Sequence, residues 1–314
     1  MTALREALAE YVALRRALGT KLLEPALALG HFVQFLEREG ATHITTELAV
    51  RWACQPQGVQ AATWARRLTT VRRFSSWLSA FDPRTEVPPR RLLAARHRRK
   101  KPYIYSDQEI EQLIAKAGRL PSPKGMRALT HGTLIGLLAA TGLRPGEALS
   151  LDLVNVDLEN GILAIRQTKF EKSRFVPIED STRTALARYS KERDRLCPVR
   201  QTEAFLVSER GTRLHPHAAR RTFAKVCCAI GLRVMTGRRI GRGPRLQDLR
   251  HTFATRRLVE WYRAGLDVQR EMPKLTTYLG HVAVANTYWY IEAVPELLQL
   301  ATERSAAMQQ GGER

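Results

Sequence analysis

Residues 82–101, "DPRTEVPPRRLLAARHRRKK", constrain the fold more than any other stretch. They hold three prolines, eight Lys/Arg and two acids. That composition reads as a basic linker, not as an element with a packed face. A chain of 314 residues is also about twice the length of one typical domain. Two domains are therefore expected, 1–82 and 103–314, with the linker over 83–102.

Hydrophobic spacing fills in both parts. In residues 3–39, Leu4, Leu8, Tyr11 and Leu14, then Leu27, Phe32, Phe35 and Leu36, recur at helical intervals and predict two helices. Gly40 suits a helix stop. Thr45 or Thr46 suits a start before Leu48, Val50 and Trp52. The stretch 58–81 reads as one long helix with Trp64, Leu68, Val71 and Leu78 on a stripe. Arg66 and Arg73 lie on another stripe, which fits either a solvated or a DNA-facing surface. Past the linker, Ser106 and Glu109 have capping-box spacing. The remainder reads as mostly helical. The exception is 161–178, where the β-rich runs Ile162–Ile165 and Phe175–Ile178 predict a hairpin. The expected fold class is mainly α with a small antiparallel sheet.

Charge narrows the partner. Lys+Arg number 51 and Asp+Glu 30, a surplus of +21. Residues 1–102 carry 18 basic and 8 acidic side chains, so the surplus is shared by both parts. A spread of this kind points to a polyanion bound through its phosphates, with double-stranded DNA the expected partner. A membrane surface would more usually be met by a single basic amphipathic helix. The apolar run 133–143 is too short to span a bilayer, and "MTALREALAEY" has no apolar signal region, so a cytoplasmic protein is expected. Cys54, Cys197, Cys227 and Cys228 form no CxxC pair and read as reduced, packed thiols; no metal is expected.

The informative residues are spread along the second part. "AATGLRPGEALSL" (139–151) presents Arg144 and Glu147, with Pro145 fit for a helix's first turn. Lys169 follows in the hairpin, then Arg250 in "QDLRHTFAT", then His281 and Tyr290 in "YLGHVAVANTYWY". Each alone has an ordinary explanation: a surface ion pair, a solvated lysine, a packed tyrosine. Together they supply what attack on a phosphodiester needs. Two guanidiniums can clamp phosphoryl oxygens, a tyrosine hydroxyl can be the nucleophile, and a lysine can protonate the leaving oxygen.

At these motifs the chain resembles the tyrosine recombinases, or phage-integrase-type site-specific recombinases. "ATGLRPGEALSLDLVNVD", "TKFEKSRFVPI", "DLRHTFAT" and "YLGHVAVANTYWY" occur in the family's order over 104–300, and 1–82 is similar more loosely. The resemblance implies a helical core-binding (SAM-like) domain followed by a catalytic integrase domain. It assigns the catalytic arginines to Arg144 and Arg250, with Glu147 as companion acid. The hairpin lysine is Lys169, with Lys172 competing. The histidine is His281, and the nucleophile nine residues later is Tyr290, not Tyr288. It further implies a 3′-phosphotyrosine intermediate, no cofactor, no ATP, and a homo-multimer, a tetramer on DNA, possibly with paralogous recombinases. The chain has no G-x-x-x-x-G-K-[ST] phosphate loop.

One position departs. The family's His-x-x-Arg is here Gln247-Asp248-Leu249-Arg250, and glutamine cannot take a proton near neutrality. Gln247 is expected to position the phosphate. A type IB topoisomerase-like enzyme and an inactive DNA-binding accessory protein stand as the alternative functions. Two further features have two readings each. The Arg/Gly-rich 233–245 is a loop that meets phosphate or a solvated one. Leu297, Leu298 and Leu300 pack at home or on a neighbouring protomer.

Overall fold

A computed structural model describes residues 3–20, 22–93, 101–166, 173–199, 201–237 and 239–281, and beyond these 283–285, 287–288, 297 and 299. Two compact units divide the chain, Met1–Lys100 and Lys101–Arg314. Mostly helical structure with small antiparallel sheets, as expected from the sequence, is what the described residues show.

The first unit contains α1 (Ala3–Ala17), α2 (Leu23–Arg38), α3 (Thr46–Cys54) and α4 (Ala61–Leu78). Thr45 caps α3, its hydroxyl accepting from the Leu48 N–H at 3.2 Å. The four helices bury Phe32, Leu36, Trp52, Leu68, Val71 and Phe74 in one core. Tyr11 tilts against Phe74 and Trp77, and Arg67 stacks over Trp52 at 3.7 Å. Leu14 and Leu27 leave the predicted stripe and lie exposed, because only part of each helix reaches this core. Arg66 and Arg73 are both on the outside. The segment read from composition as a linker begins packed on this unit. Glu86 N–H donates to the Ile44 carbonyl, the Glu86 carboxylate accepts from Thr46 N–H, and the Pro88 carbonyl accepts from Arg72.

The second unit opens with α5 (Asp107–Gly118), whose capping box is present. Ser106 Oγ accepts from Glu109 N–H at 3.1 Å, and the Glu109 carboxylate accepts from Ser106 N–H at 2.8 Å. The chain continues through α6 (Met126–Thr141) and the short α7 (Pro145–Leu149). A sheet of β1 (Val156–Asp157), β2 (Ile162–Ile165) and β3 (Arg174–Pro177) follows. Both pairings are antiparallel, with Leu163 opposite Val156 on one side and Val176 on the other. The hairpin was legible; β1, two residues long, has no alternation to read. Next come α8 (Asp180–Leu196), α9 (Pro216–Ala229), a hairpin of β4 (Met235–Thr236) and β5 (Arg239–Ile240), α10 (Leu246–Arg263) and α11 (Val268–Leu279). The β4–β5 hairpin replaces the expected loop. Arg233 explains it, donating to the carbonyls of Gly241, Gly243 and Pro244 and tying the ends together.

Leu134, Leu138, Leu149, Leu163, Val176, Tyr189, Phe205, Phe223 and Leu249 belong to one core, so the sheet and helices share a common interior. Leu297 packs at home, fully buried with Phe253, Leu258, Met272 and Leu275. Leu298 and Leu300 lie outside the described residues. All four cysteines are free thiols, and burial pushes Cys227 up to about 12. No helix among the described residues is long and apolar enough to cross a membrane.

Gly142 ends α6 with φ +60°, and a Cβ there would lie 2.5 Å from the Phe253 ring. Its carbonyl accepts from Arg250 at 2.9 Å, so this turn joins α6 to α10. Gly142→Ala is expected to destabilise the second unit by roughly 2 kcal/mol through positive φ and overpacking, read as a lowered urea midpoint at unchanged m-value.

Candidate active site

The site is built on the C-terminal end of α11. A helix leaves its last four carbonyls without intrahelical partners and carries a partial negative charge there. Gly280 turns the chain left-handed at φ +67°, and His281 N–H bonds back to the Thr276 carbonyl at 3.0 Å. Only glycine fits this turn. A Cβ at 280 would lie 2.7 Å from the Arg174 guanidinium.

Three arginines from three elements take three consecutive carbonyls at this end. Arg174 on β3 donates Nε–H to Tyr278 O at 2.8 Å. Arg250 on α10 donates Nη2–H to Leu279 O at 2.6 Å. Arg144, just before α7, donates Nη2–H to Gly280 O at 3.0 Å. Their exposures differ in a way that matters. Arg250 is 1% exposed, and the side chains of Arg174 and Arg144 are 12% and 38% exposed. Arg144 therefore presents the most accessible of the three guanidiniums.

Glu147 joins two of the three. Its buried carboxylate accepts from Arg144 Nη1 at 2.7 Å and Arg144 N–H at 3.0 Å, and from Arg174 Nη1 and Nη2 at 3.2 and 2.8 Å. Burial raises the Glu147 pKa. The hydrogen bonds and charge of Arg174, followed by those of Arg144, outweigh burial and hold it below the usual carboxylate range.

His281 is oriented by a chain of hydroxyls. Thr276 Oγ1–H donates to Met272 O at 2.9 Å. Thr276 Oγ1 also lies 2.9 Å from Thr287 Oγ1, within hydrogen-bond distance. Thr287 Oγ1 in turn is hydrogen-bonded to His281 Nδ1, 2.8 Å away. The imidazole is thereby anchored at Nδ1, which fixes the orientation of the ring.

Gln247, half-buried in the first turn of α10, lines a cleft of about 450 Å³ with Pro145, Gly146, Arg220, Phe223, Arg233 and Arg245. The next residue, Asp248, is buried and accepts from Arg245 N–H at 2.7 Å and Arg245 Nη2 at 2.9 Å, which fixes this helix start. Arg144, Arg250 and His281 thus meet at the end of α11, and Gln247 shares a cleft with the residues that follow Arg144. Lys169, Lys172 and Tyr290 lie outside the described residues. Tyr288 is partly exposed on a helical turn, its N–H on Val284 O. Among the described residues no group of three His, Cys, Asp or Glu is placed to hold a metal ion.

Sequence reasoning missed Arg174, Thr276 and Thr287. For Arg174 a signal existed. It opens the β-rich run "RFVPI", whose strand packs into the core, and a charge carried into a core needs a partner.

Residues 104–296 match the phage integrase family. The chain is 44% identical, over 97% of both chains, to y4rB of Sinorhizobium fredii, which carries an integrase/recombinase name. It is 31% identical to the tyrosine recombinase XerD of Caulobacter vibrioides over 77% of this chain and 74% of that one. Its fold is similar to that of the Tn1549 transposon integrase in complex with transposon right end DNA. The TM-score is 0.66 at 16% identity, covering 98% of this chain and 100% of that one. The chain belongs to the phage integrase family, the tyrosine recombinases. It is an enzyme of site-specific DNA recombination.

The depressed Glu147 pKa makes a stability prediction. A carboxylate whose folded pKa lies below its unfolded value stabilises the fold above the unfolded pKa, ~4.3, and that contribution is lost as pH falls through the folded pKa. Glu147→Gln is expected to cost on the order of 2 kcal/mol at pH 7. Urea unfolding as a function of pH should show the wild type losing stability more steeply than the variant below about pH 4.3.

Proposed function

We propose that this enzyme cleaves and rejoins double-stranded DNA through a 3′-phosphotyrosine intermediate, in integration, excision or transposition, using neither metal nor ATP. The observation that carries this reading is the convergence of Arg144, Arg250 and His281 on the end of α11. Phosphoryl transfer builds charge on the equatorial oxygens, and fixed guanidiniums stabilise it without reorganising. Arg144 contacts the non-bridging oxygens. Arg250, bridging Gly142 O and Leu279 O, fixes the geometry and field around them. His281, oriented by Thr287, acts on the phosphate through Nε2.

In the covalent step the Tyr290 oxygen bonds to phosphorus and the bond to the 5′ oxygen breaks. Lys169, or Lys172, gives the departing oxygen its proton, and the tyrosine proton passes to an acceptor at the site. Gln247 holds a phosphate oxygen by hydrogen bonding and does not titrate. A partner strand's 5′-hydroxyl reverses the step, so the phosphodiester energy is conserved in the tyrosyl link. The +21 surplus supports DNA binding by both units, and strand exchange calls for a tetramer of this chain or a mixed one with paralogues. The enzyme acts in the cytoplasm, on the nucleoid.

The test is a nicked suicide DNA carrying the recombination site, with covalent adducts read on denaturing gels. Wild type should form the adduct and Tyr290→Phe should not. An adduct that survives in Tyr290→Phe removes the nucleophile assignment. No wild-type adduct favours a binding-only protein. Gln247→His should keep or raise the cleavage rate, and a collapse would show that Gln247 does more than position. Thr287→Val should slow cleavage about tenfold by freeing the His281 ring, with DNA binding retained in a band-shift assay.

A further inference from the structure

We propose that Arg174 is a positioning residue that neutralises Glu147 and so keeps Arg144 electrostatically available to a DNA phosphate. The inference rests on the recombinase reading above. Glu147 carries one negative charge and faces two guanidiniums, whose three hydrogen bonds, with a fourth from the Arg144 backbone N–H, occupy both of its oxygens. The trio therefore has a surplus of one positive charge. Arg174 cannot express that surplus, because its side chain is 12% exposed and its Nε–H is held by Tyr278 O. Arg144 can, at 38% exposed, with Nη1 on Glu147 and Nη2 on Gly280 O. Without Arg174, the Glu147 charge would fall on Arg144 alone, and a phosphate would meet a neutral pair.

Arg174 also fixes where this charge sits. Its fork grips Glu147 while its Nε grips the last turn of α11, so Glu147 and the His281 turn are held in one register. A lysine could restore the charge but not both contacts.

The experiment measures the rate of covalent adduct formation at saturating nicked suicide DNA for wild type, R174Q, R174K and the double variant E147Q/R174Q. A second DNA carries a methylphosphonate at the scissile position, which removes the phosphate's negative charge. Thermal unfolding and DNA band shifts establish that each variant is folded and binds. R174Q should cleave about 100-fold more slowly and R174K about 10-fold more slowly. E147Q/R174Q should recover at least about tenfold over R174Q, because removing the acid frees Arg144 again. On the methylphosphonate the R174Q deficit should shrink to under about fivefold.

A double variant no faster than R174Q, or an equal deficit on both DNAs, overturns the proposal and leaves Arg174 a fold-holding residue. If R174Q does not fold, R174K compared on the two DNAs decides in the same way. A wild type that forms no adduct on the phosphodiester overturns the recombinase reading itself.

Discussion

The end of helix α11 is where the second unit concentrates its electrostatics. Tyr278, Leu279 and Gly280 offer three successive carbonyls that the helix cannot satisfy, and Arg174, Arg250 and Arg144 each satisfy one. Like charges repel, and three guanidiniums would not gather without a reason. The helix's negative end and the Glu147 carboxylate supply it. The arginines come from a strand, a long helix and the start of a short one. Satisfying one helix end therefore draws β3, α10 and α7 onto a fourth element.

Arginine suits this arrangement because one side chain can hold the scaffold with some donors and keep others for a different partner. Arg250 bridges the ends of two helices through Gly142 O and Leu279 O. Arg174 spans a carboxylate and a carbonyl. A lysine, with its single point of charge, could not make these forked contacts. The backbone turn that carries His281 is fixed by the same device, and the Thr276–Thr287 hydroxyls settle its ring.

Much of this was legible in the chain. The Ser106/Glu109 box, the stop at Gly142, the β-rich runs flanking the hairpin loop and the order of Arg144, Arg250 and His281 could all be read from spacing and motif. What could not be read has a common physical character. Backbone carbonyls have no letter, so nothing in "TYLGH" announces three acceptors. Arg174 meets partners 27 residues before it and 104 after it, separations beyond the reach of helical or strand periodicity. The β4–β5 hairpin escaped for the same reason. Its glycines and arginines resemble a loop until Arg233 is seen holding the carbonyls at its base.

The anchors of the arginine cluster are main-chain oxygens, so the side chains at 278 and 279 hold it only by packing the helix end in place. Replacing either side chain would instead test packing, since Leu279 is buried in the core and Tyr278 stacks on Phe253 at 5.6 Å. Gly280 is constrained in another way, since both its left-handed turn and the guanidinium beneath it forbid a side chain. Packing at 278 and 279 and backbone conformation at 280 thus constrain three neighbouring positions for different physical reasons.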